Sequence, residues 1–83
     1  MKQITVYGAD WCHDTQNTLR HLEQVGVPFE FRDIEEDPGA LELVTGHNAG
    51  KRKLPTVDVA GHVLSVPNDE ELDKALRGQG VVQ

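Results

Sequence analysis

One cysteine, Cys12, is the residue best suited to covalent chemistry in this chain of 83 residues. The thiolate form of cysteine is a nucleophile, and a helix start favours it because unpaired N–H groups lie there. The alternative is a small buried apolar residue, which is a common environment for free cysteine. The polar neighbours Asp10, His13 and Asp14 favour the reactive interpretation.

The charges around Cys12 act in opposite directions. A helix dipole stabilises an anion at its start by ~0.3–1 kcal/mol, or up to about 2 kcal/mol in a sheltered geometry. One carboxylate a few ångströms away opposes it by ~1 kcal/mol or more, so Asp10 and Asp14 offset the helix start. A protonated His13 would favour the thiolate. Thr15, one turn later, has a hydroxyl that can donate to the sulfur or cap the helix backbone.

Length and composition predict one domain over residues 1–83. A single cysteine excludes an intrachain disulfide, and no paired Cys/His spacing indicates structural zinc. We expect surface or capping roles, not metal binding, for the scattered histidines His13, His21, His47 and His62. The net charge of −6 argues against nucleic-acid binding and suits a soluble monomer. A lone cysteine, with neither a signal peptide nor the ~20 apolar residues of a membrane span, predicts a cytoplasmic protein.

The hydrophobic pattern predicts the order β-α-β-α-β-β-α. Strands are expected at 3–8, 28–34, 56–59 and 63–65, and helices at 13–25, from 38 to Gly46 and from 69 to Gly78. Asp37 can cap the second helix, and Asn68 with Glu71 forms a capping box for the third. The first β-α-β unit implies parallel strands, and the closing hairpin adds an antiparallel half. We therefore expect an α/β fold with a mixed four-stranded sheet, helices on both faces and a flexible tail at 79–83.

Three segments resemble the glutaredoxins, a family of the thioredoxin-fold superfamily. They are "VYGADWCHDT" around the cysteine, "NAGKRKLPTVDV" at 48–59 and "GHVLSVPNDEEL" at 61–72. The resemblance extends over about 2–76, and it is the order and spacing of the segments that make it specific. Trp11 and "SVPNDEEL" look closest to the small bacterial, mycoredoxin-like branch.

The resemblance implies that Cys12 is the nucleophile and that Pro55 is a cis-proline facing it. The Leu54 backbone would pair with a peptide-like ligand, and Arg52 or Lys53 would meet a ligand carboxylate. The start of the last helix would hold the ligand's amino-acid end, with N–H groups taking its carboxylate and an acidic side chain its ammonium. The implied substrate-binding residues are Trp11, His13, Arg52, Lys53, Leu54, Pro55, Asn68 and Asp69.

Thr15 stands where the family commonly has a second cysteine, so the resemblance implies a monothiol thiol-disulfide oxidoreductase with Cys12 and Thr15 as catalytic residues. It would reduce mixed disulfides between proteins and a low-molecular-weight thiol. No tightly bound cofactor is expected, and the co-substrate would be glutathione, mycothiol or bacillithiol. Two alternatives stay open. One is a redox-inactive module that binds a peptide or partner beside Pro55, motivated by Asp10 and Asp14. The other is iron–sulfur cluster binding by a thiol-bridged dimer.

Overall fold

A computed structural model describes residues 3–82 of the chain. The elements are β1 Ile4–Gly8, α1 His13–Val25, β2 Glu30–Asp33, α2 Pro38–His47, β3 Thr56–Val59, β4 His62–Ser65 and α3 Asp69–Gly78. This is the predicted order of elements. No helix within the described residues combines the length and apolar character needed to cross a membrane.

The four strands form one mixed sheet in the order β2-β1-β3-β4. β1 is parallel to β2 and antiparallel to β3, and β3 and β4 form an antiparallel hairpin. Tyr7 pairs with Thr56, and Thr56 pairs with Ser65. The ends of β1, β2 and β4 therefore meet the start of β3 at one edge of the sheet, which we call the site edge.

Each face of the sheet carries its own apolar cluster because successive strand residues point to opposite faces. One cluster joins the sheet to α1 and α3 and contains Ile4, Val6, Leu22, Val57, Val59, Leu72 and Leu76. The other joins it to α2 and contains Tyr7, Ile34, Ala40 and Val44. The predicted arrangement of helices on both faces is confirmed.

The helix starts follow the predicted capping chemistry. Asp37 accepts hydrogen bonds from the amides of Gly39 and Ala40, and Asn68 and Glu71 form the capping box. α1 ends before Gly26, whose φ of 85° lies in the left-handed region that glycine adopts readily.

Several predicted boundaries need correction: β1 begins at Ile4 instead of Gln3, and β2 ends at Asp33 instead of Ile34. α2 continues past Gly46 to His47, because its end is made by Asn48, whose side-chain amide donates to the Val44 carbonyl at 2.7 Å. β2 begins only at Glu30, the first residue that pairs with β1. β4 begins one residue early, at His62, which pairs with Val59.

The tail expected to be flexible at 79–83 contacts the core as far as the structure describes it, and its flexibility stays a prediction. The amides of Val81 and Val82 donate to the Leu76 carbonyl at 2.9 and 3.3 Å. Both valine side chains pack against the cluster beneath α1 and α3. The segment folds back onto the core because these two apolar side chains are partly buried against it. Gln83 lies outside the described residues.

Candidate active site

Cys12 lies at the site edge as the N-cap residue of α1. Its amide donates to the Ala9 carbonyl at 3.1 Å, which closes the turn after β1, and its carbonyl accepts from Gln16 at 3.0 Å. The residue is half-buried, and its side chain makes no capping hydrogen bond to the described helix. Cys12 is thus placed at the first turn of α1, where backbone amides are unpaired, as the sequence predicted, and its side chain does not cap them.

Thr15 takes neither of the two roles expected for it. It is fully buried, and its hydroxyl accepts a long hydrogen bond of 3.5 Å from the Ala9 amide. Neither a bond to the Cys12 sulfur nor a capping bond is among the contacts of the described residues. A Cβ placed on Gly8 would lie 2.6 Å from Thr15 Cγ2, so Thr15 packs α1 closely against the end of β1. The contacts of Thr15 are those of a packing residue, and the catalytic role implied for it stays a prediction.

Trp11 and an acidic group lie on the β2 side of Cys12. The Trp11 side chain is 62% exposed, and its Nε1–H donates to Glu35 Oε1 at 2.6 Å. Carboxylate oxygens of Asp10, Asp33 and Glu35 all lie within 4.8 Å of one another. His13 is exposed. The thiol therefore has an aromatic surface and concentrated negative charge on this flank.

Pro55 lies at the same edge, next to the end of β1, because its neighbour Thr56 pairs with Tyr7. The Leu54–Pro55 bond is cis, which confirms the expectation. Pro55 is buried, Leu54 is half-buried, and the Pro55 carbonyl accepts from the Val66 amide at 2.8 Å. The structure thus brings Pro55 to the edge that carries Cys12.

A buried polar network holds the loop that leads to Pro55. The Asn48 side-chain amide donates to the Thr56 hydroxyl at 3.1 Å, and that hydroxyl donates to the Lys53 carbonyl at 2.8 Å. The Ser65 hydroxyl donates to Asn48 Oδ1. Lys53 and Arg52 themselves are exposed, and neither forms an ion pair with the rest of the described chain.

A groove of about 670 Å³ runs between α1 and the segment that connects β4 to α3. We call it the α1–α3 groove. Asp14 and Asn17 line it on one side, and Val66, Asn68 and Asp69 line it on the other. It brings Asn68 and Asp69 together with the helix that begins at Cys12, but Arg52 and Lys53 are not among its lining residues.

His21 was expected to be a surface or capping residue and instead bridges α1 and α3. Its Nε2 lies 2.7 Å from Asp73 Oδ1, and its Nδ1 lies 3.6 Å from Asp69 Oδ2. Only 16% of its side chain is exposed, because α3 covers it. The polar stripe of Asp14, Asn17 and His21, spaced at helical intervals, was a signal in the sequence that could have identified this face. Glu35 and Val66, in contrast, had no such signal.

Comparisons with known proteins agree with this geometry. The family model described as Glutaredoxin matches residues 4–64. Mycoredoxin 1 of Corynebacterium glutamicum is 35% identical over 57 residues, which are 69% of this chain and 70% of that protein. A Mycobacterium tuberculosis protein named as a glutaredoxin is 31% identical over 74 residues, 88% of each chain. The crystal structure of a glutaredoxin from Archaeoglobus fulgidus superposes with a TM-score of 0.76 and 24% identity, covering 94% of this chain and 89% of that one.

Proposed function

Because the chain belongs to the glutaredoxin family, we propose that Cys12 alone carries thiol exchange between protein mixed disulfides and a low-molecular-weight thiol. The chain is a glutaredoxin-like thiol-disulfide oxidoreductase, and its single cysteine fits the monothiol form of that chemistry. The observation that carries the proposal is the position of Cys12, half-buried at the N-cap of α1 with its sulfur not engaged in capping.

The reaction needs only one protein sulfur. The Cys12 thiolate attacks the small-thiol sulfur of the mixed disulfide, the S–S bond breaks, and the substrate protein leaves as a thiolate that takes up a proton. Cys12 is then disulfide-bonded to the small thiol. A second small-thiol molecule, as its thiolate, attacks the small-thiol sulfur of that bond. It leaves as an oxidised small-thiol dimer and regenerates the Cys12 thiolate.

We propose that the small thiol lies in the α1–α3 groove, whose volume of about 670 Å³ suits a ligand of that size. At the start of α3 the capping box occupies the amides of Asn68 and Glu71. The amides of Asp69 and Glu70 therefore remain as donors for a carboxylate, and the exposed Asp69 carboxylate suits an ammonium group. On the other side of Pro55, the Leu54 backbone would pair with a peptide-like ligand.

The remaining expected contacts are also proposals. Arg52 or Lys53 would pair with a second carboxylate of the ligand. Both side chains are exposed and form no ion pair within residues 3–82, which supports this pairing. Trp11 and His13 would border the bound substrate. We further propose that the protein works as a monomer. We also propose that it works in the cytoplasm, because an exchange that ends on a free thiol requires a reducing thiol pool. The comparisons favour neither the redox-inactive module nor the cluster-binding dimer.

Turnover of defined mixed disulfides tests the proposal. One peptide cysteine would be joined in turn to glutathione, mycothiol and bacillithiol, and each disulfide would be offered with the matching free thiol. We expect the wild type to release the peptide thiol with at least one of them, and mass spectrometry to detect that thiol bound to Cys12. Cys12→Ser should show only the uncatalysed rate. Turnover by Cys12→Ser, or a wild type inactive with all three, would contradict the proposal.

A further inference from the structure

Asn48 lies at the point where the chain leaves α2 and runs toward Pro55. It is the C-cap residue of α2, and its side chain is buried. After it the chain turns through two left-handed residues, Ala49 and Gly50, with φ of 56° and 84°. The segment 51–55 that follows is neither helix nor strand. Because this segment has no strand or helix partners, side chains must help to fix its backbone.

The side-chain amide of Asn48 can bond its neighbours in only one orientation. Its Nδ2 lies 2.7 Å from the Val44 carbonyl oxygen, which can only accept, so the nitrogen must face Val44. The same NH2 group donates to the Thr56 hydroxyl at 3.1 Å, and Oδ1 accepts from the Ser65 hydroxyl. Asn48 thereby connects the end of α2 to the start of β3 and to the end of β4.

The Thr56 hydroxyl connects Asn48 to the chain just before Pro55. Thr56 is fully buried. Because its oxygen accepts from Asn48, its single hydrogen is directed to another acceptor, the Lys53 carbonyl at 2.8 Å. Hydrogen bonds in such a buried chain strengthen one another. The peptide bond between Lys53 and Leu54 is therefore held from the side of the core.

We infer that Asn48 is a positioning residue for thiol exchange. Acting through the Thr56 hydroxyl, it fixes the peptide bond between Lys53 and Leu54. The backbone of Leu54 is the group proposed to pair with a peptide-like substrate beside Pro55, so the inference rests on the proposed function. It goes further because it assigns the placement of that backbone to a buried side chain that acts through another residue. Without this chain of hydrogen bonds, only a fraction of the molecules would present the backbone in the competent position.

Steady-state kinetics of two variants tests this role. Thr56→Val removes the hydroxyl but keeps the β-branched shape, and Asn48→Asp keeps the size of the side chain but removes its donors. Loss of one hydrogen bond of ordinary net strength would lower the competent fraction by up to roughly 12-fold. We expect KM to rise by roughly 2- to 12-fold for the mixed disulfide that the wild type uses best, with kcat within about two-fold.

Two further variants separate positioning from packing. Thr56→Ser restores the hydroxyl, so its KM should return toward the wild-type value. Thr45→Val is the matched control, because it removes a threonine hydroxyl that bonds to carbonyls within α2, and it should leave KM unchanged. The rate of Cys12 alkylation by iodoacetamide should be the same in all four variants, since none of the hydrogen bonds of this network involves Cys12.

Three results would overturn the inference while wild-type turnover upholds the proposed function. The first is a wild-type KM for folded Thr56→Val, and the second is a KM for Thr56→Ser as high as that of Thr56→Val. The third is a fall in Cys12 alkylation that parallels the rise in KM. Thr56→Val should fold even if Asn48→Asp does not, because valine favours a strand and no charge is buried. A wild type inactive with every mixed disulfide would overturn both proposals.

Discussion

At the scale of single residues, two groups of charges with opposite effects lie near Cys12: the positive end of α1 and a set of carboxylates. The helix supplies unpaired amides beside the N-cap sulfur. The opposing negative charges are those of the exposed Asp10, two residues before Cys12, and of Asp33 and Glu35, whose carboxylates lie close to that of Asp10. The Trp11 ring donates a hydrogen bond to Glu35 of this acidic group. The acidic group therefore concentrates negative charge on the flank of α1 that carries Cys12.

Replacing Asp10→Asn is expected to raise the rate of Cys12 alkylation at neutral pH by about two- to five-fold. Removal of a nearby negative charge worth ~1 kcal/mol at a surface dielectric gives a factor of this size. The measurement is the rate of modification by iodoacetamide, a neutral reagent that is not itself steered by charge. Glu23→Gln, which removes an exposed carboxylate near the far end of α1, is the control and should leave the rate unchanged. A rate unaltered by Asp10→Asn would show that the helix start alone sets the reactivity.

At the scale of elements, the site depends on how closely α1 is packed against the end of β1. Gly8 leaves no room for a Cβ because the side chain of the buried Thr15 occupies that space. The turn between them carries Cys12, and the Ala9 amide in this turn donates to the Thr15 hydroxyl. Gly8 and Thr15 thus fix the position of the turn that carries Cys12.

Gly8→Ala should destabilise the protein by about 1–3 kcal/mol, the usual cost of overpacking a filled site. Urea denaturation measures it as a lower midpoint. Thr15→Ala should relieve the clash, so the double variant should lose less stability than the sum of the two single variants.

Gly46→Ala provides the matched control because Gly46 is helical and no atom lies within 4 Å of an added Cβ. It should be neutral or stabilising by up to about 1 kcal/mol. Additive effects of Gly8→Ala and Thr15→Ala would contradict the close packing.

At the scale of the whole molecule, charge is distributed unevenly around the site edge. The chain carries a net charge of −6, yet Lys51, Arg52 and Lys53 are consecutive and exposed just before Pro55. The opposite flank of Cys12 carries the acidic group. A net-negative thiol would therefore be attracted from the Pro55 side and repelled from the Trp11 side.

The double variant Arg52→Gln/Lys53→Gln should raise the KM for the glutathione mixed disulfide by roughly three-fold at low salt, because two attractive charges are lost. The difference should shrink at high salt, since the Debye length falls to about 3 Å at 1 M. Steady-state kinetics at several salt concentrations measures both effects. The control is Lys74→Gln/Arg77→Gln, which removes the same amount of charge from α3. A similar rise in the KM of this variant for the same disulfide would indicate a general charge effect instead of a local one.

The sequence by itself determined the chemistry available and the order of the elements. One cysteine permits only a monothiol route, and local patterns predicted the caps at Asp37 and Asn68 and the end of α1 at Gly26. The cis bond before Pro55 was predicted by family resemblance and is present. These features were predictable because each depends on residues within a few positions of one another or on a family-wide segment.

The tertiary structure alone decided the partners of individual side chains. His21 meets Asp73 from 52 residues away, Thr15 fills the space above Gly8, and Val66 is held at a positive φ by Pro55. Each depends on how helices and strands pack after the chain has folded. A local pattern does not encode such long-range contacts, so the sequence could single out Cys12 as the candidate nucleophile, whereas the partners of His21, Thr15 and Val66 could not be predicted from it.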